Sequence, residues 1–197
     1  MKKKRIILAI TGATGALYAV EFLRLMAGRH DVELHGIISQ AGEQVLGIEL
    51  GMGRNDLSRL APVTWHAITD FAAPMSSGSS DFSAMAVLPC TMGSLAAIAA
   101  GVCGNLIHRA ADVMLKERRP LVLAARESPL NRTHLTNMLK AHEAGAIICP
   151  PMPAFYQQPA DLPEMARFFA ARVAGLMGIE MAGMPRWHGT PGDKADG

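Results

Sequence analysis

An α/β sandwich built on a doubly wound, flavodoxin- or Rossmann-like parallel sheet is the fold this sequence predicts, and three features predict it. Short apolar runs of strand length alternate with longer segments of helical period. Each run is apolar on both faces, as a strand covered by helices on both sides must be. Small or hydroxyl-bearing residues follow most of the runs, and sheets of this kind bind ligands beyond the carboxyl ends of their strands.

The first strand is Ile6-Ile7-Leu8-Ala9-Ile10, and a helix from Ala16 to Ala27 follows it. A second strand, Val32 to Ile38, leads into a helix from Ala41 to Glu49. The third strand, Ala84 to Leu88, is preceded by Ala72-Ala73-Pro74-Met75 and by Ser76-Ser77-Gly78-Ser79-Ser80, whose low complexity reads as a flexible linker. Helices from Ser94 to Ala100 and from Leu106 to Lys116 come next. A strand at Leu121-Val122-Leu123, a helix from His134 to Ala144, a strand at Ala146-Ile147-Ile148 and a helix from Leu162 to Met177 complete the pattern. From Glu180 to Gly197 the residues follow no period, which reads as an irregular tail with a frayed end.

With 197 residues, half of them hydrophobic, the chain can bury one sizeable core, so a single domain is expected. The formal charge of +2, from 19 basic and 17 acidic residues, gives no global field for nucleic acid or a membrane surface. No run approaches the roughly 20 apolar residues of a membrane helix. Met1-Lys2-Lys3-Lys4-Arg5 precedes only a short apolar run and no cleavage-like site, so it reads as a solvated lead-in rather than a signal peptide. Cys90, Cys103 and Cys149 are odd in number and widely spaced, which points to reduced thiols and a cytoplasmic protein.

Thr11-Gly12-Ala13-Thr14-Gly15-Ala16 lets the backbone approach a ligand and opens a helix whose first amides suit a phosphate. It is not the GxGxxG fingerprint, and a tight strand-to-helix turn without a ligand looks the same. The second strand ends in Ser39, the third in Pro89-Cys90-Thr91-Met92-Gly93-Ser94 and the fourth in Arg126-Glu127. Hydroxyls and amides converging with one guanidinium are what a phosphate monoester needs. Arg109 and Lys116 are seven residues apart and share a helix face, either as a second cationic site or as cations favoured by the helix dipole. The seven histidines show no metal-ligand spacing, so no metal is expected. Cys90 has no neighbouring base, and no Gly-x-Ser-x-Gly elbow follows a strand.

Thr11 to Ala16, Ser76 to Ser79, Pro89-Cys90-Thr91, Arg109-Ala110-Ala111-Asp112-Val113, Leu115 to Leu123, Arg126-Glu127-Ser128-Pro129 and Pro153-Ala154-Phe155-Tyr156 resemble the UbiX/Pad1 flavin prenyltransferase family. The resemblance runs from about Arg5 to about Trp187. It implies a flavoprotein domain over residues 1–180, and a tail over 181–197 that orders in part near Trp187. It implies that Gly12, Ala13, Thr14, Ser39, Thr91, Met92, Gly93, Ser94 and Arg126 hold FMN. It implies that Lys116, Tyr156 and Arg172, with Phe71 and Trp187, hold dimethylallyl phosphate. Phe71 stands where relatives carry Trp, and it keeps a π face for the developing allyl cation.

The implied reaction joins a dimethylallyl group to N5 and C6 of reduced FMN, giving the prenylated FMN that UbiD-type decarboxylases use. Glu49 takes the C6 proton and Glu127 serves the departing phosphate, while Lys116, Arg109 and Arg172 meet its charge without magnesium. The family also implies a homo-oligomer, a dodecamer. Two other readings share these residues: an FMN-dependent decarboxylase of the cysteine-decarboxylase type, and a flavin carrier. The first lacks its Pro-Ala-Met-Asn-like segment here, and the second leaves Glu49, Lys116 and Tyr156 without a role.

Overall fold

The computed structural model describes residues 3–183. Six parallel strands form one sheet: β1 (Lys4–Ile10), β2 (Val32–Ile38), β3 (Val63–His66), β4 (Phe82–Cys90), β5 (Leu121–Ala125) and β6 (Ile147–Ile148). Their order is β3-β2-β1-β4-β5-β6, so the chain winds outward from β1 in one direction and then from β4 in the other. The point of reversal lies between β1 and β4, where doubly wound sheets open a crevice for ligand. Seven helices cover the sheet: α1 (Ala16–Met26), α2 (Gln40–Leu50), α3 (Arg54–Leu60), α4 (Met92–Ala99), α5 (Leu106–Lys116), α6 (Arg132–Glu143) and α7 (Leu162–Leu176). Short 3-10 turns occupy Pro74–Ser76 and Phe155–Gln157.

The alternation of side chains along β1 builds both cores. Ile6, Leu8 and Ile10 pack with Phe22 and Leu23 of α1 and Val173 and Ala174 of α7. Ile7 and Ala9 face the other way, onto Leu95 of α4 and Ile107, Val113 and Met114 of α5. Side-chain caps set where most helices begin: Ser39, Thr91, Asn105, Asn131 and Asp161 each accept a hydrogen bond from an amide of the first turn.

The predicted α/β architecture and its five strands are present, and the departures have physical causes. The edge strand β3 and helix α3 were not foreseen, because the one is only half-buried and the other buries only Leu57. The last strand, expected to be buried, is two half-buried residues, since β6 is the other edge. The serine-rich stretch is no free linker: Arg109 Nε donates to the Ser76 carbonyl at 3.0 Å, and Arg119 donates to those of Gly78 and Ser80. Trp187 and most of the tail lie outside the described residues. Among the described residues no helix is long and apolar enough to cross a membrane.

Candidate functional site at the sheet's point of reversal

The crevice between β1 and β4 is fixed by one buried hydroxyl. Thr11 Oγ1 donates to the Pro89 carbonyl at 2.8 Å and accepts from the Thr91 amide at 2.9 Å, tying together the loops that leave the two strands. The next residue must be glycine, because a Cβ at Gly12 would collide with the side chain of Ala41 at the start of α2. Thr91 caps α4 by accepting from the Ser94 amide at 3.1 Å, and its hydroxyl donates to Ser94 Oγ at 3.0 Å. Ser39 caps α2 through the Gly42 amide at 3.0 Å. The Arg126 amide donates to the Cys90 carbonyl, which brings the end of β5 to the same crevice.

These loops enclose a cavity of about 390 Å³ whose walls include Gly12, Ala13, Thr14, Glu49, Thr91, Met92, Arg126 and Glu127. Eight residues nominated from sequence thus meet in one place, although they come from four separate segments. Ser39, Gly93 and Ser94 stand behind them in the caps and first turn of α2 and α4. Among the described residues the Arg126 guanidinium has no acceptor, and its charge lowers the affinity of Tyr18 for its proton against a larger rise caused by burial. Converging helix N-termini and a cation with no acceptor fit a phosphate monoester.

One expectation changes. α1 begins at Gly15 with a left-handed backbone and no capping side chain of its own. Glu49, from the last turn of α2, fills that role: its carboxylate accepts from the Gly15 amide at 3.1 and 3.0 Å, from the Ala16 amide at 2.8 Å and from the Thr14 hydroxyl. The first amides of α1 are therefore committed to a protein carboxylate, and α2, α4 and Arg126 are left to meet a ligand anion.

The residues nominated for the allyl phosphate fall elsewhere in the single chain. Arg109 sits in the first turn of α5, where the helix dipole disfavours a cation, and it is paired with Asp112 at 2.8 Å. Lys116 ends α5 and pairs with Glu117, and both lie against the Gly78 backbone. Phe71, half-exposed, precedes the same serine-rich segment. Tyr156 and Arg172 line a separate cavity of about 910 Å³ between residues 149–159 and α7, together with Phe168 and Phe169. Tyr18 contacts Phe169, which lines this second cavity, edge-on at 5.1 Å; nothing in its sequence context marked it. Burial pushes the Cys90 thiol up to about 12, and among the described residues no three His, Cys, Asp or Glu side chains cluster as metal ligands.

The sequence model of the Flavoprotein family matches residues 1–188. A flavin prenyltransferase UbiX of Methanothermobacter thermautotrophicus is 45% identical over 186 residues, covering 94% of this chain and 96% of its own. The chain belongs to the UbiX flavin prenyltransferase family. Two solved UbiX structures superpose closely. AnUbiX (PadA1), crystallised with FMN and dimethylallyl pyrophosphate, is 42% identical with a TM-score of 0.91, covering 96% of this chain and 100% of its own. A dodecameric FMN-dependent UbiX-like decarboxylase of Escherichia coli O157:H7 is 40% identical with a TM-score of 0.89, covering 94% and 100%. Membership in the UbiX family sets aside both the cysteine-decarboxylase reading and the flavin carrier.

Proposed function

We propose that this chain transfers a dimethylallyl group from dimethylallyl phosphate to N5 and C6 of reduced FMN, making prenylated FMN for UbiD-type decarboxylases. The observation that carries the reading is the crevice between β1 and β4, where Thr14, Glu49, Arg126 and Glu127 meet beside converging helix N-termini. Reduced FMN supplies the nucleophilic nitrogen and carbon. The chain's own residues bind and orient it: the turn at Gly12, Ala13 and Thr14, the segment Thr91 to Ser94, Ser39 and Arg126. Glu49, hydrogen-bonded to the Thr14 hydroxyl, takes the C6 proton. Glu127, in its protonated form, protonates or donates a hydrogen bond to the departing phosphate, and Lys116, Arg109, Arg172 and Tyr156 meet its charge.

The site is completed by neighbouring copies in this reading. Lys116 precedes β5 and Arg126 follows it, so the two lie at opposite ends of that strand, with five residues of strand between them. At the usual strand rise that is roughly 16 Å, beyond the reach of one lysine side chain. A homo-oligomer, a dodecamer like the relative from Escherichia coli, brings one copy's α5 to another's crevice. The three unpaired cysteines support work in the cytoplasm.

The decisive measurement is the mass of the flavin after incubation with dimethylallyl phosphate and reduced FMN, with and without excess EDTA. One added C5 unit in both is expected, because fixed cations serve where other prenyl transfers use magnesium; unmodified flavin overturns the assignment. Co-expressed Glu49→Gln and Lys116→Met chains are expected to regain activity in mixed assemblies. Inactive mixed assemblies would place both residues in one copy's site.

A further inference from the structure

The serine-rich segment before β4 has no regular structure after its 3-10 turn, yet it is held along its length by α5 and the turn that closes it. Arg109 takes the Ser76 carbonyl at one end. At the other, Arg119 donates from Nη2 to the Gly78 carbonyl at 2.9 Å and from Nη1 to the Ser80 carbonyl at 2.6 Å. The end of α5 makes that reach available. The Arg118 amide donates to the Leu115 carbonyl at 3.0 Å and the Arg119 amide to that of Met114 at 2.8 Å, the paired closure of a Schellman motif. Arg118 carries its left-handed residue at φ 53°, where glycine is usual. Gly78 then lies so close to Lys116 Nζ and to the Glu117 carboxylate that a Cβ there would overlap both. Glu117 is held below the usual carboxylate range by Lys116, and Arg119 lies 3.9 Å from its other oxygen.

We propose that Arg119 is a positioning residue for the allyl phosphate: by clamping the Gly78 and Ser80 carbonyls it keeps the Gly78 backbone and the Lys116 ammonium together as one receiving edge. The proposal rests on the reading that Lys116 receives the phosphate. Arg119 spends its guanidinium on backbone carbonyls rather than on the anion. Two carbonyls at fixed separation need a planar fork of donors, which arginine has and lysine lacks. Released from the fork, a stretch of serine and glycine samples many conformations, and each binding event must first restore one of them.

The test varies dimethylallyl phosphate at saturating reduced FMN in the full-length protein, and measures FMN affinity by flavin fluorescence and Tm alongside. Arg119→Ala is expected to raise KM for dimethylallyl phosphate about tenfold while kcat and the FMN Kd stay within about threefold of the parent. Arg119→Lys should recover only part of the loss. A KM at the parental value, or a loss of FMN affinity and Tm in step with the rise, overturns the proposal. If Arg119→Ala does not fold, Gly78→Ala leaves the clamp in place but forces the backbone and Lys116 apart, and it is expected to give the same selective rise; an unchanged KM there also overturns it. Lys116→Met separates the two layers. If it leaves KM unchanged, the reading of Lys116 itself is wrong, whereas a raised KM for Lys116→Met beside a parental one for Arg119→Ala defeats the positioning role alone.

Discussion

The Thr14 hydroxyl donates to the Glu49 carboxylate across 35 residues of sequence, and that carboxylate also closes the start of α1. One side chain thereby joins the turn after β1 to the end of α2 at the wall of the crevice.

Glu49→Gln keeps the shape and one carbonyl oxygen for these donors but removes basicity. The expected result is a flavin carrying one new bond, with phosphate released and the ring not closed, read by mass spectrometry and phosphate assay. Normal four-ring product would remove Glu49 from proton transfer. Loss of the charge at the start of α1 should also lower stability by about 0.3–1 kcal/mol, read by urea unfolding.

Cys90 is fully buried, and burial pushes its thiol up to about 12, so it is neutral at any working pH. Its Sγ lies 3.5 Å from the Thr91 carbonyl, and the Leu95 backbone also approaches it. Cys90→Ser should keep kcat/KM within about threefold while lowering stability by about 1–2 kcal/mol for the buried hydroxyl. A collapse of turnover with FMN still bound would give the thiol a chemical role.

His35 and His66 are stacked with ring centroids 5.2 Å apart, and Nδ1 of His35 lies 2.9 Å from Nε2 of His66. Arg5 and Glu33 both approach His35, and Asp81 pairs with Arg5. Burial lowers the His66 pKa below its ordinary 6.5, with His35 and Arg5 adding to the fall and Asp70 opposing it. With the folded value depressed, protons favour the unfolded chain, so this stability is present above about pH 6.5 and is lost as pH falls through the folded pKa. Tm should drop between pH 7 and 5, and His66→Gln should flatten that slope. His108, also lowered by burial, contributes a residual slope of the same sign.

Arg118 holds a left-handed backbone that glycine adopts without strain. Arg118→Gly should leave unfolding free energy unchanged or raise it by up to about 1 kcal/mol, with KM for dimethylallyl phosphate unaltered. A loss above that size would assign the Arg118 side chain a contact that its backbone strain does not explain.

Fold and crevice were legible because local sequence decides them. Apolar runs mark β1, β2, β4 and β5, and the residues just past those strands must gather at one edge of a parallel sheet. Thr14, Thr91 and Arg126 could be nominated on that ground alone. Glu49 could not, since its partners are the amides of a helix 33 residues earlier, and only the resemblance pointed to it. Arg119 and Thr11 were quoted only within their motifs and given no role of their own, for a related reason: both bond to backbone carbonyls distant in sequence, and a carbonyl leaves no trace in residue identity. β3 and α3 were missed because half-exposed elements carry little apolar period.

Both rims of the sheet are short: β3 has four residues and β6 only two. Unsatisfied main-chain donors and acceptors along a rim are what let one sheet recruit another and grow without limit. Here each rim offers too little ladder to seed such growth. Contact between copies of the chain is therefore left to side chains on helices and loops rather than to a main-chain ladder.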